Sequence, residues 1–207
     1  MIKRQIYFVA LLIFLPMLSI GCSKQLQIFI SSPEEIATRY IQENREDGFT
    51  VTIDSVKSIQ TIEHNDAALI LVQYDGERQG VGQEKCEVVL EVKHNSIAGW
   101  KINNGAGLCH EINNSENPAP ITVVSSWGYS SLFGDRYSTV FGYVCDPQIV
   151  KVAVMWDDGQ EQAVEVYMST YFIVRNGESH MTTITAYDAQ GEIVFTEDLV
   201  LELPEGN

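Results

Sequence analysis

Ser32-Pro33-Glu34-Glu35-Ile36-Ala37-Thr38-Arg39-Tyr40-Ile41 and, a few residues on, Gly48-Phe49-Thr50-Val51-Thr52-Ile53-Asp54 contain the change of period that decides how this chain folds. In the first stretch Ile36, Ala37, Tyr40 and Ile41 recur at the spacing of one helical face. Ser32 offers a capping oxygen, Pro33 suits the first helical position, and Glu35 is placed to reach back to the cap. Gly48 then ends the helix. In the second stretch Phe49, Val51 and Ile53 alternate with Thr50, Thr52 and Asp54, which reads as a half-buried strand.

Further strands are expected at residues 67–74 and 85–92, separated by Asp75-Gly76 and by Gly80 and Gly82, and Trp100-Lys101-Ile102 opens a shorter fourth strand. One amphipathic helix followed by antiparallel strands implies a helix lying across a curved sheet, an α+β unit. This element order resembles the cystatin-like and nuclear-transport-factor-2-like folds over residues 33–112. In such folds the concave face can keep an apolar pocket, here between Ile36, Tyr40 and the strands.

Asn113-Asn114-Ser115-Glu116-Asn117-Pro118-Ala119-Pro120 is polar, proline-bearing and without periodicity, so a boundary is placed there, giving units 33–117 and 118–207. Beyond it, strands are expected at residues 121–127, 138–145, 149–156, 161–168, 171–174, 181–187 and 192–197. Asp146-Pro147, Asp158-Gly159, Asn176-Gly177 and Asp188-Ala189-Gln190-Gly191 mark the turns. Closely spaced short strands of this kind build an all-β sandwich, with Val150, Val152, Val154 and Trp156 facing inward against Val164, Val166 and Met168. Trp156-Asp157-Asp158-Gly159 and Ala186-Tyr187-Asp188-x-x-Gly191 resemble the turns of immunoglobulin-like and fibronectin-type-III-like domains.

The N-terminus carries Lys3 and Arg4, an apolar run from Ile6 to Ile20, and then Gly21-Cys22. A basic start with an apolar run of about fifteen residues suits a signal core better than a bilayer span. The segment resembles a bacterial lipoprotein signal, although Ser19 stands where the pattern usually has Leu. The resemblance implies that residues 1–21 are removed, that Cys22 is lipidated, and that 22–32 form a short tether. Residue 23 is Ser, so in a two-membrane cell the resemblance implies outer-membrane sorting, and in a one-membrane cell the outer face of the plasma membrane. Two or more acyl chains give durable anchoring where one does not.

Removing Lys3 and Arg4 from the count takes the formal charge from −15 to −17. So acidic a chain is unsuited to nucleic acid or to anionic headgroups. It suits an extracytoplasmic surface or a cationic partner. Cys86 and Cys109 fall in one unit and are expected to form a disulfide, whose loop is worth about 3 kcal/mol on the chain-entropy account. Cys145 is left as a lone thiol. No pair at zinc-ligand spacing exists, and neither a nucleophile elbow, a phosphate-binding loop nor a twelve-residue calcium loop is present. No metal, cofactor or catalytic residue is therefore assigned.

One stretch has the composition of a recognition surface: residues 125–137 set Trp127, Tyr129, Phe133, Arg136 and Tyr137 among glycines and serines. Rigid aromatics beside an arginine offer contact area at low entropic cost. Their alternative role is to cover the end of the sandwich or to seal the boundary between the units. The sequence thus reads as a lipid-anchored extracytoplasmic binding or scaffolding protein for a protein or small molecule, or as an inhibitor of a cationic exported enzyme such as a lysozyme. Cys22→Ala is expected to leave the chain unlipidated and mis-sorted. Acyl-chain labelling with membrane fractionation checks this, and equal retention of variant and wild type contradicts it.

Overall fold

The computed structural model describes residues 32–43, 47–64, 66–96, 98–112, 119–129 and 136–199. Cys22, Phe133 and most of the boundary segment lie outside them. Helix α1, Pro33–Glu43, starts as its sequence dictates: the Glu35 amide donates to Ser32 Oγ at 3.2 Å, and the Ile36 amide donates to the Ser32 carbonyl. Ala37 and Ile41 are its buried face, while Tyr40 is exposed.

The first sheet contains β1 Phe49–Val51, β2 Lys57–His64, β3 Ala67–Arg78, β4 Gly82–Asn95 and β5 Gly99–Glu111, all antiparallel. Its order is β1-β3-β4-β5, with β2 also pairing β3, so β1 and β2 lie end to end along one edge. Between them the expected alternation breaks: Ile53–Ser55 form a 3-10 turn that turns Ile53 outward. Ser55 Oγ fixes this corner by accepting from the Asp75 amide at 2.8 Å and donating to the Thr52 carbonyl.

Strand β2 was not among the expected strands, and β5 is far longer than expected. Asn103 to Gly107 has the composition of a loop yet continues the ladder, with Asn104 opposite Glu91 and Gly107 opposite Val88. Its glycines are there because β4 approaches closely. A Cβ on Gly105 would meet Leu90 Cδ2 at 2.8 Å, and one on Gly107 would meet the Glu87 carbonyl at 2.7 Å. Cys86 and Cys109 stand directly opposite each other in the same ladder and are bonded.

The later chain forms two sheets. One holds β6 Val124–Tyr129, β7 Arg136–Tyr143 and β10 Thr170–Asn176 in the order β10-β7-β6. The other holds β8 Lys151–Trp156, β9 Glu161–Glu165, β11 Met181–Tyr187 and β12 Ile193–Asp198 in the order β12-β11-β8-β9. Val140, Tyr171 and Ile173 of the former share a core with Val152, Val154, Trp156, Ile184 and Ala186 of the latter. All seven expected strands are present, β11 with the expected ends and the others with one or both ends shifted. Two side chains expected inside are not: Val150 precedes β8 and is exposed, and Met168 is exposed at positive φ beside Ser169. Met168 and Ser169 form a tight turn closed by reciprocal Tyr167–Thr170 backbone hydrogen bonds, and that geometry overrides the alternation at Met168.

The β3 segment Ala67-Ala68-Leu69-Ile70-Leu71-Val72 has no exposed residue. Ala68, Ile70 and Val72 pack with Leu90, Val92, Ala37 and Ile41 under the helix, so the face that could have kept a pocket is core. Leu69 and Leu71, with Val89 of β4, pack against Tyr137, Phe141 and Phe172 of the second sheet. The layers therefore run helix, first sheet, second sheet, third sheet.

Gly142 lies where the chain before β6 runs antiparallel beside the end of β7; a Cβ there would sit 1.9 Å from the Thr122 carbonyl oxygen. Since that contact is with backbone, Gly142→Ala is expected to cost at least about 2 kcal/mol, read as a lower urea midpoint at unchanged slope.

Candidate functional site

The seam between the first and second sheets is apolar at Leu69, Leu71 and Val89 and polar beyond them. Residues alternate across a strand, so Glu87 and Glu91 share the seam face with Val89, and Gln73 shares it with Leu71. Glu87 is 1% exposed and Glu91 3%. Gln73 Nε2 donates to Glu87 Oε1 at 3.4 Å, and the Tyr137 hydroxyl donates to Glu91 Oε2 at 3.4 Å. Glu87 Oε2 and His110 Nδ1 face each other at 3.5 Å, both buried and neither hydrogen-bonded. Burial pushes the Glu87 carboxyl up to about 7, against the lowering effects of Gln73 and Lys85. It pushes the His110 imidazole down, and the Lys85 ammonium adds to that.

Beside this pair a cleft of about 330 Å³ opens at the seam, lined by Lys85, Ile112, Thr122, Tyr143, Cys145 and the His110 ring. The His110 and Tyr143 rings lie 5.1 Å apart, and Lys85 Nζ sits 5.7 Å over the Tyr143 ring while pairing with Asp75 at 2.9 Å. The Cys145 thiol is pushed up by burial and by the nearby Glu87 charge, which holds it in the unreactive protonated form. The cleft offers a small ligand mixed apolar and hydrogen-bonding contacts.

A grouping of Glu84 with Cys86 and Cys109 has the spacing of a metal site, but the two sulfurs are bonded to each other and Glu84 is held by Arg78 at 2.9 Å. It is a structural staple beside an ion pair.

The aromatic stretch divides in two. Trp127 and Tyr129 are 56% and 52% exposed, in an edge-to-face contact of 6.2 Å, with the Arg136 guanidinium 5.1 Å over the Tyr129 ring and paired with Glu178. Tyr137 points to the opposite face of β7 and is buried in the seam, its ring against Gly128 and its hydroxyl on Glu91. Burial and the Glu91 charge raise its phenol well above the ordinary value. Phe133 and Cys22 lie outside the described residues.

No protein-family model matches this chain, nor does any curated protein or solved structure.

Reading the sequence alone passes over Glu87 and Glu91, and it takes His110, like His64, His94 and His180, for an ordinary surface histidine. In Glu87-Val88-Val89-Leu90-Glu91-Val92 the glutamates look like the wet face of an ordinary strand. The one signal against that is the unbroken apolar run of the neighbouring β3, the pattern of a strand covered on both sides. Alkylation of Cys145 by iodoacetamide is expected to be slower than that of a free peptide thiol at neutral pH and still rising past pH 9.0, the ordinary value from which its titration is displaced. Peptide mapping of the labelled full chain checks this.

Proposed function

We propose that this chain is an exported, lipid-anchored binding protein without catalytic activity, which recognises a protein partner through Trp127, Tyr129 and Arg136. What carries this reading is the exposure of two large aromatic side chains, Trp127 and Tyr129, on a strand whose other face, Val124, Ser126 and Gly128, is half-buried to buried. Left in water, they forgo a favourable burial that a partner would restore. They are also held in place by each other and by Arg136, so little side-chain entropy is lost on binding.

The domain reading is part of the proposal: an α+β domain over 33–117, cystatin-like or nuclear-transport-factor-2-like, and an immunoglobulin-like domain over 118–207. Three strands in the order β10-β7-β6 facing four in the order β12-β11-β8-β9 support the second assignment. The single helix packed on a sheet of antiparallel strands supports the first. The lipid anchor rests on Lys3, Arg4, the apolar run and Cys22, and it places the protein on the extracytoplasmic face of a membrane.

A second reading, inhibition of a cationic exported enzyme such as a lysozyme, is favoured by the charge of −17 outside the signal segment. The two differ in salt response: an electrostatically steered inhibitor loses association rate steeply as ionic strength rises, and an aromatic anchor does not.

A photoreactive phenylalanine at position 127 is expected to give one discrete covalent adduct in the intact native envelope. Combining it with Tyr129→Ala and Arg136→Ala should abolish the adduct while moving the melting temperature by no more than about 2 °C, as for surface substitutions. Persistence of the adduct, or a marked fall in melting temperature, refutes the recognition surface.

A further inference from the structure

The sandwich of the second and third sheets is uneven: three strands in the order β10-β7-β6 face four in the order β12-β11-β8-β9. At one side β10 packs against β9, and at the other β6 is the last strand of its sheet while the facing sheet runs on to β12. The room left there is a groove of about 470 Å³ beside the free edge of β6. Ile121 and Val123, from the chain leading into β6, form one wall, and Met181 and Leu199 form the other. Glu197 of β12, which is exposed, adds a carboxylate to the lining.

The backbone phase along this edge is fixed by its pairing with β7. The Thr122 amide donates to the Tyr143 carbonyl and the Cys145 amide to the Pro120 carbonyl, each at 2.8 Å. These bonds flank the Ile121–Val144 pair, and β6 keeps the same register on β7 as far as Tyr129 opposite Arg136. Antiparallel pairs alternate between bonded and unbonded positions. Val124, Ser126 and Gly128 therefore turn their backbone groups to β7, while Ser125, Trp127 and Tyr129 turn theirs away. Thr139 Oγ1, donating to the Ser126 carbonyl at 3.4 Å, agrees with this phase. Among the described residues no strand or loop bonds to the outward backbone groups of Ser125, Trp127 and Tyr129.

Free edges are usually blunted by charge, because an open row of N–H and C=O groups is a template for another strand. The end strands of the facing sheet follow that rule, β9 with Glu161 and Glu165 and β12 with Glu197 and Asp198. Strand β6 reads Val124-Ser125-Ser126-Trp127-Gly128-Tyr129, with neither a charge nor a proline. Its outward backbone groups belong to the same residues that carry the exposed aromatic rings, and those rings recur at the period of a strand.

We propose that the protein partner binds by adding an extended segment to the free edge of β6, completing the second sheet as its fourth strand. The partner is the one assigned to Trp127, Tyr129 and Arg136, so strand addition rests on that recognition surface. The ladder to Ser125, Trp127 and Tyr129 supplies attachment that any extended backbone can use, and alternate side chains supply the selection. Successive side chains of β6 point to opposite faces, so Val123, Ser125, Trp127 and Tyr129 share the face that borders the groove. An added strand lays every second side chain on that face. At one end these meet Val123, Met181 and Leu199, and at the other they meet the rings of Trp127 and Tyr129. The segment is therefore apolar at alternate positions. Beside Glu197, and in a chain of formal charge −15, it carries a basic residue and no acidic one.

The test uses the full chain with the photoreactive phenylalanine at position 127, in the intact native envelope, with and without Ser125→Pro. Because the Ser125 amide points away from β7, proline there removes an outward donor and obstructs an incoming strand without breaking a bond inside the sheet. Adduct yield is expected to fall at least about tenfold. The melting temperature should move by no more than about 2 °C. Peptide mapping of the adduct formed without Ser125→Pro should place the crosslink in a segment of another protein with apolar residues at alternate positions. An adduct that survives Ser125→Pro at unchanged yield overturns strand addition and leaves the recognition surface standing, whereas absence of any adduct without Ser125→Pro overturns both. A crosslink between two copies of this chain, or within one copy, also overturns the proposal. Should Ser125→Pro fail to fold, Glu197→Lys decides. It sets like charges together across the groove, so the yield should again fall at least about tenfold. An unchanged yield overturns strand addition.

Discussion

Strand β3 has to satisfy two neighbours at once. Its even-numbered residues from Ala68 to Val72 lie under the helix, and its odd-numbered residues Leu69 and Leu71 meet the second sheet. Burying each such leucine side chain is worth about 1.5–3 kcal/mol relative to exposure, and a strand covered on both faces collects this on every residue. The same position demands that nothing polar stand on either face between Ala67 and Val72, which is why the run is unbroken. On β3 itself the first polar side chain in the seam is Gln73, beyond the run, while β4 brings Glu87 and Glu91 to the same face.

Local rules carried much of the fold into the sequence. The serine cap and the spacing of Ala37 and Ile41 make the helix legible locally, although so short a helix is held by packing on the sheet. The turn residues Asp158-Gly159, Asn176-Gly177 and Asp188 through Gly191 mark real chain reversals, with Gly159, Gly177 and Gly191 all at positive φ. Rules of the same kind fail where a distant partner decides the outcome. Residues 57–64 lack a clear alternation and become a strand by pairing with β3. Asn103 to Gly107 reads as a loop and becomes a ladder because β4 comes too near for side chains. Met168 and Ser169 look like the end of a strand and make a turn without glycine or asparagine.

The polar seam was the least legible part. Composition singled out the aromatic stretch, and strand parity then sent Trp127, Tyr129 and Arg136 to one side and Tyr137 to the other, a division that requires knowing the pairing of β6 with β7. Glu87 and Glu91 cannot be distinguished from surface carboxylates within their own strand. They lie on the face that the second sheet covers, where Tyr137, 46 residues further along the chain, meets Glu91, and Phe141 and Phe172 pack on the neighbouring Val89. A contact made across that separation leaves no trace in any window short enough to show a period. The disulfide, by contrast, needed only two cysteines falling in one run of neighbouring strands.

That separation has a consequence in time. The first sheet can pair all its strands, close its disulfide and seat its helix as soon as residue 111 is available, but the far face of β3 and β4 has no cover until β7 and β10 have been made and folded. During that interval Leu69, Leu71 and Val89 present a flat apolar strip to whatever is nearby, in a sheet that is otherwise complete. Such half-covered intermediates are the species that associate with one another. For a chain that emerges from one end, the order of assembly makes this strip the point at which a chaperone, or a slow arrival of the later strands, would determine the yield of folded protein.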